Sequence, residues 1–181
     1  LMLWEDAFCA RFKQMHNADA KAVEDDDPRI HATRAAIMTD FMLEVRALLD
    51  ETAVKQGRKE RYKISLGTFA KEADNQKWGL DLPNWIQRGL VDDLATTWFA
   101  YHTSFEKTPG QIDMEYYQRI TKGTNTKAYP MVIAGKTGKP KELCQKAAAW
   151  LLKGAPGIAI WDPQVMKGWP DNSPGNVFDI L

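Results

Sequence analysis

Four short apolar runs, at residues 63–69, 93–99, 128–134 and 157–161, recur along the chain, each followed by helix-like sequence. Their spacing is the strongest constraint on the fold, because a strand, a helix and two loops occupy roughly 30 residues in a βα unit. Units repeated in this way imply a parallel sheet, since parallel neighbours need crossover connections. A whole eight-stranded barrel takes roughly 250 residues, and the chain has 181. The expected fold class is therefore α/β, a partial (β/α)8 TIM barrel of about four parallel strands with flanking helices. Leading helices should cover residues 4–57 and four βα units residues 61–181.

The ends point the same way. Leu1-Met2-Leu3-Trp4 opens on apolar residues and Val177-Phe178-Asp179-Ile180-Leu181 closes on them, without the polar fraying usual at domain termini. The expectation is the second half of a larger barrel enzyme, with a trimmed form of a complete small domain as the alternative.

Composition narrows the partners. Twenty-four basic residues balance twenty-four acidic ones, so no nucleic-acid or membrane-surface partner is expected. No apolar run reaches the roughly 18 residues that span a bilayer. Seven tryptophans and five tyrosines suit a cleft where rings stack on sugar faces, although a core uses the same residues. Cys9 and Cys144 lack metal-ligand spacing and fall in different helices, so two buried free thiols are expected rather than a disulfide.

Helical spacing of Ala7, Phe8, Phe12 and Met15 predicts a short first helix, and residues 17–26 read as a loop. Asp27-Pro28 reads as an N-cap with proline at the first helical position. From there Ile30, Ile37, Met38, Phe41, Met42, Val45, Leu48 and Leu49 keep a 3.6-residue period up to Gly57. Residues 62–69 form the first strand, with Ile64, Leu66 and Thr68 on one face and Ser65 and Gly67 on the other. A polar loop, 71–77, precedes a helix that Asp81 caps and Gly89 ends. The second strand is 93–99, and Asp113 caps the helix that follows. In the third strand, 128–134, Pro130 cannot donate a ladder hydrogen bond and predicts a bulge or an imperfect pairing. Residues 139–153 form a helix closed by Gly154, and 157–161 the fourth strand.

Three stretches carry a family resemblance: residues 37–46, IMTDFMLEVR; the segment from Gly79-Leu80-Asp81 through Gly89-Leu90-Val91-Asp92, with Trp85 between; and residues 154–162, GAPGIAIWD. They resemble the glycoside hydrolases described as family-10-like, which are (β/α)8 barrels, over nearly the whole chain and in the right order. The resemblance implies a polysaccharide or glycan substrate and carboxylate acid/base chemistry. It also implies that strands one to four precede Leu1, the last ending in a Leu-Asp-Phe-Arg-like segment whose aspartate is an active-site acid.

Barrel active sites sit at the C-terminal ends of strands, which selects the candidates. After the first strand come Glu72, as a second carboxylate, and Asn75, a donor for a sugar hydroxyl or a helix cap. After the second come Trp98, Tyr101 and His102, a stacking and hydrogen-bonding cluster. Trp161 and Asp162 close the fourth. Asp162 is the leading carboxylate, since glycosidases work with a pair; the alternative is that Asp162-Pro163 only forms a turn. No His, Asp or Cys trio has metal spacing, and neither a metal nor a cofactor is expected. Glu24-Asp25-Asp26-Asp27 lacks the alternating ligands and glycine of a calcium loop and suits helix capping instead. Asp92 and Asp93 belong to the N-terminal face of the sheet, which serves stability. His16 and His31 are surface or packing residues of the leading helices.

Two rival readings stand beside the hydrolase. Gly135-Lys136-Thr137-Gly138-Lys139 follows the third strand and suits a phosphate held at a helix N-terminus, though its spacing is not that of a Walker A loop. The other is a non-catalytic carbohydrate-binding or structural half-barrel, which would self-associate to cover its open strand edges. The 181-residue chain alone is expected to lack hydrolase activity, because its partner in the barrel would be the missing N-terminal half.

Overall fold

The computed structural model describes residues 6–96, 112–133 and 140–161. The chain forms two compact units, residues 1–64 with 71–92 and residues 65–70 with 93–181.

The first unit is helical. Helix α1, Asp6–His16, sets Phe8 and Phe12 one turn apart, so both side chains share a face. They are buried with Ala20, from a 3-10 turn at Ala20–Ala22, and Ile30. Removing Phe12 from water contributes about 2–3 kcal/mol. Helix α2, Pro28–Lys55, starts as expected: the Asp27 carboxylate accepts the Arg29 N–H at 2.8 Å and proline occupies the first turn. Arg29 also binds Asp27 through its guanidinium, and these bonds hold the Asp27 carboxyl down to about 2.

Helix α2 buries a narrower stripe than its apolar period suggests. Ile30, Met42 and Ala53 are buried, whereas Phe41 is 54% exposed and Leu48 62%. Seven residues separate those two, which places them on the same outer face. Cys9 is a free thiol, half-buried rather than buried, and so is Cys144 in the second unit.

Residues 72–77, expected as a loop, form helix α3, Glu72–Lys77. EADNQK has almost no apolar side chain to reveal a period, and local bonds hold the turn: Gln76 Nε2 donates to Glu72 Oε1 at 3.3 Å, and Asn75 Nδ2 to the Lys71 carbonyl at 2.9 Å. Helix α4, Leu82–Gln87, buries Leu82, Trp85 and Ile86. Trp85 is fully buried and donates its indole N–H to Thr39 Oγ1 of α2 at 2.8 Å. Asp81 occupies the N-cap position but makes no capping bond, because its ψ of 65° departs from the extended backbone of a capping residue.

The second unit carries the sheet. Strands β1, Ser65–Thr68, β2, Asp93–Thr96, β3, Lys127–Ile133, and β4, Ala159–Trp161, are all parallel and lie in the order β1-β2-β3-β4. With helices α5, Met114–Thr121, and α6, Pro140–Leu152, they make the curled sheet of a partial (β/α)8 barrel. Strand β1 is shorter than its apolar run because pairing sets its limit: β2 begins at Asp93, so β1 first finds a partner at Ser65. Asp113 caps α5 as expected, accepting the Tyr116 N–H at 3.0 Å.

Pro130 makes no bulge. The β2–β3 register runs unbroken from Asp93↔Lys127 to Thr96↔Pro130, and β4 joins only at Met131↔Ala159. Proline thus stands where its strand has a ladder partner on one side, a position at which a missing donor is tolerated.

Register also separates the two faces of the sheet. Leu94, Thr68, Thr96, Ala128 and Val132 are buried on one, where α5 reaches Thr68. Ser65, Gly67 and Lys127 are exposed on the other, with Asp93, Ala95 and Tyr129 half-buried beside them. No helix among the described residues is long and apolar enough to cross a membrane.

Candidate functional site

Strands β1 and β2 each end on a buried threonine hydroxyl. At the end of β1, Thr68 is 2% exposed and its Oγ1 pairs with the Tyr117 hydroxyl of α5 at 2.8 Å. The same phenol reaches the Phe69 carbonyl, which can only accept, so the phenol proton goes there and the Thr68 hydroxyl closes the pair. One residue further, the Ala70 carbonyl accepts the Asp113 N–H at 2.9 Å, so the N-cap of α5 is tied to the exit of β1. At the end of β2, buried Thr96 donates Oγ1 to the Tyr129 carbonyl at 3.3 Å. These bonds fix the rim from which a barrel presents its chemistry.

The expected site residues lie as follows. Glu72 opens α3 half-buried, and its Oε1 accepts from Gln76. Asn75, one turn on, is fully buried, with its amide bonded inside the helix to the Lys71 carbonyl. Both belong to the first unit. Trp161 is the last residue of β4 and pairs with Ile133. Asp162, Trp98, Tyr101, His102 and the loop from Gly135 to Lys139 lie outside the described residues.

One polar cluster escaped sequence reasoning. Register aligns Ser65, Asp93 and Lys127, the first residues of three adjacent strands. Ser65 Oγ lies 3.5 Å from Asp93 Oδ2. The Tyr129 phenol, two residues into β3, is raised by burial and by the Asp93 carboxylate that accepts its hydrogen bond. A phenol held protonated against a carboxylate is a fixed donor, suited to stability at the N-terminal end of the strands. No single-chain pattern announces such a row; only the cross-strand register reveals it.

A cavity of about 400 Å³ opens at that same N-terminal side, between the end of α5 and the approach to β4, lined by Gln118, Thr121, Lys127, Ala128 and Pro156. It is away from the rim where barrel chemistry sits. Among the described residues no three His, Cys, Asp or Glu side chains converge on a point that could hold a metal ion.

No protein-family model matches this chain, and no curated protein matches it in sequence.

Proposed function

We propose that this chain belongs to a glycoside hydrolase of the (β/α)8 type, acting on a polysaccharide or glycan by carboxylate acid/base chemistry. The observation that carries the reading is the end of β4. The strand is parallel to its neighbours and terminates at Trp161, so Asp162 is the next residue in the chain beyond a C-terminal strand end. Barrel enzymes draw their catalytic groups from that position. In this reading Asp162 is one of the two carboxylates, and Trp161 and Trp98 offer sugar-stacking faces.

The test is release of reducing ends from a panel of polysaccharides by the full gene product, wild type against Asp162→Asn. Loss of turnover by about a thousandfold or more, with the melting temperature unchanged, is expected for a catalytic carboxylate. Equal turnover in the variant removes Asp162 from the mechanism. No turnover on any glycan by the wild type removes the hydrolase.

A further inference from the structure

Helices α1 and α2 pack as an antiparallel pair, and their contacts fix the direction. His16, the last residue of α1, sets Nε2 3.0 Å from Thr33 Oγ1, near the start of α2. About one and a half turns back along α1, Arg11 pairs at 3.0 Å with Asp40, about two turns further along α2. Between these bonds Phe8 and Phe12 are buried with Ile30, and Cys9 and Ile37 pack around them. Moving upstream along α1 therefore leads downstream along α2.

The apolar stripe of α2 outlasts its cover. Ile30, Ile37, Phe41 and Leu48 are spaced by seven, four and seven residues, which aligns them on one face. Ile30 is buried and Ile37 packs against its cluster, but Phe41 and Leu48 are exposed. The described part of α1 starts at Asp6, only two residues before Phe8. Upstream of it the sequence matches the uncovered stretch. Leu1, Trp4, Phe8 and Phe12 are spaced by three, four and four, the period of a single helical face. Leu1 and Trp4 lie outside the described residues.

We propose that the stretch of α2 from Phe41 to Leu48 is a docking surface for the chain's own residues Leu1–Trp4, with Trp4 on Phe41 and Leu1 toward Leu48. The occupant follows from continuity with the α1–α2 interface. Trp4 stands about one turn upstream of Phe8, and Phe41 about one turn downstream of Ile37, so the antiparallel direction carries the two toward each other. Leu1 and Leu48 extend the match in the same sense. Both pairs are apolar, and their contact removes two large exposed side chains from the surface of α2. The surface belongs to the leading helices and is independent of the hydrolase reading.

The experiment looks for ¹H–¹H NOEs from the Trp4 indole and the Leu1 methyls to the Phe41 ring and the Leu48 methyls in the isotopically labelled chain. Contacts within one molecule are expected, beside those from Phe12 to Ile30 as the internal standard. Their absence while the Phe12–Ile30 contacts are seen overturns the proposal. So do contacts that appear only between copies, in a sample mixing labelled and unlabelled chains, which would give the face to a second copy. A double-mutant cycle supplies an energetic readout. Trp4→Ala and Phe41→Ala should be coupled by about two- to tenfold in the unfolding equilibrium constant, the range of an aromatic pair. Trp4→Ala with Leu152→Ala, at an exposed position of α6, should be additive. Coupling no larger than in that control overturns the proposal as well.

Discussion

The Asp92 carboxylate accepts the backbone N–H of Ile64 at 2.8 Å, while the Asp92 N–H donates to the Ile64 carbonyl at 2.9 Å. Each residue stands one position before a strand, β1 or β2, so one aspartate satisfies the backbone entering both. The same carboxylate takes Arg61 Nη2 at 2.9 Å and lies 3.7 Å from Arg46 Nη1. Arg46 is buried and spends Nη1 on the Tyr62 carbonyl at 2.8 Å. Asp92→Ala removes the acceptor for an otherwise unsatisfied N–H and one counter-charge of a buried guanidinium. A loss of about 2–3 kcal/mol is expected in urea denaturation, against about 1 kcal/mol for Asp92→Asn, which retains an oxygen for Ile64. Equal losses in the two variants would show that charge, not the backbone bond, is what matters.

A second prediction concerns the rim. Tyr117 is fully buried, and its hydroxyl serves both Thr68 and the Phe69 carbonyl. Tyr117→Phe keeps the ring and deletes both bonds, and should cost about 1–3 kcal/mol. Tyr117→Ala adds a cavity and should cost about 3–5 kcal/mol. Thr68→Val combined with Tyr117→Phe should cost less than the sum of the single changes, because each removes part of the same network. Strict additivity in that double-mutant cycle would contradict the pairing.

What the sequence could reveal was local. Asp27-Pro28 starts α2, Asp113 caps α5 and Gly154 follows α6, because caps and breakers act within a few residues. The four strands and their order were legible for a related reason, since apolar runs spaced by helices admit little besides a parallel sheet. Helix α3 was not legible, because its polar side chains carry no periodicity. Nor could the pairing of Trp85 with Thr39, 46 residues apart, be read from either neighbourhood. The row of Ser65, Asp93 and Lys127 depends on register across three strands. Of the expected site, Glu72 and Asn75 prove to be helical, and Asn75 is buried in a helix whose polar sequence carries no period to announce it.

Two glycines of like backbone separate strain from collision. Gly79 and Gly123 have φ of 78° and 75°, but a Cβ on Gly123 meets nothing within 4 Å, whereas one on Gly79 collides with the α2 backbone at Arg34 and Ala35. Gly123→Ala should cost only the left-handed conformation, about 1 kcal/mol. Gly79→Ala must also push the turn away from α2, and a total of about 2–4 kcal/mol is expected. Chemical denaturation of the pair measures the difference; similar values would mean that the turn yields freely.

The last prediction is a pH dependence centred on His31. Burial is the largest cause of its lowered pKa, reinforced by the positive charges of Arg34 and Lys77 and opposed by Asp26 and the Asp25 backbone. The folded-state value therefore lies below the ordinary 6.5. Above that value both folded and unfolded chains hold a neutral imidazole, and the native state keeps its full stability. As the pH falls through it, the unfolded chain takes up the proton first and draws the equilibrium toward itself. The loss is complete once the pH is below the folded-state value. Asp26 and Asp27, both lowered from 3.8 by their cationic partners, change charge in the folded protein only under more acidic conditions. Stability measured between about pH 7 and about pH 5 should fall in the wild type and fall less in His31→Asn, which cannot take the proton. Parallel curves for the two proteins would mean that folding leaves the His31 pKa unshifted.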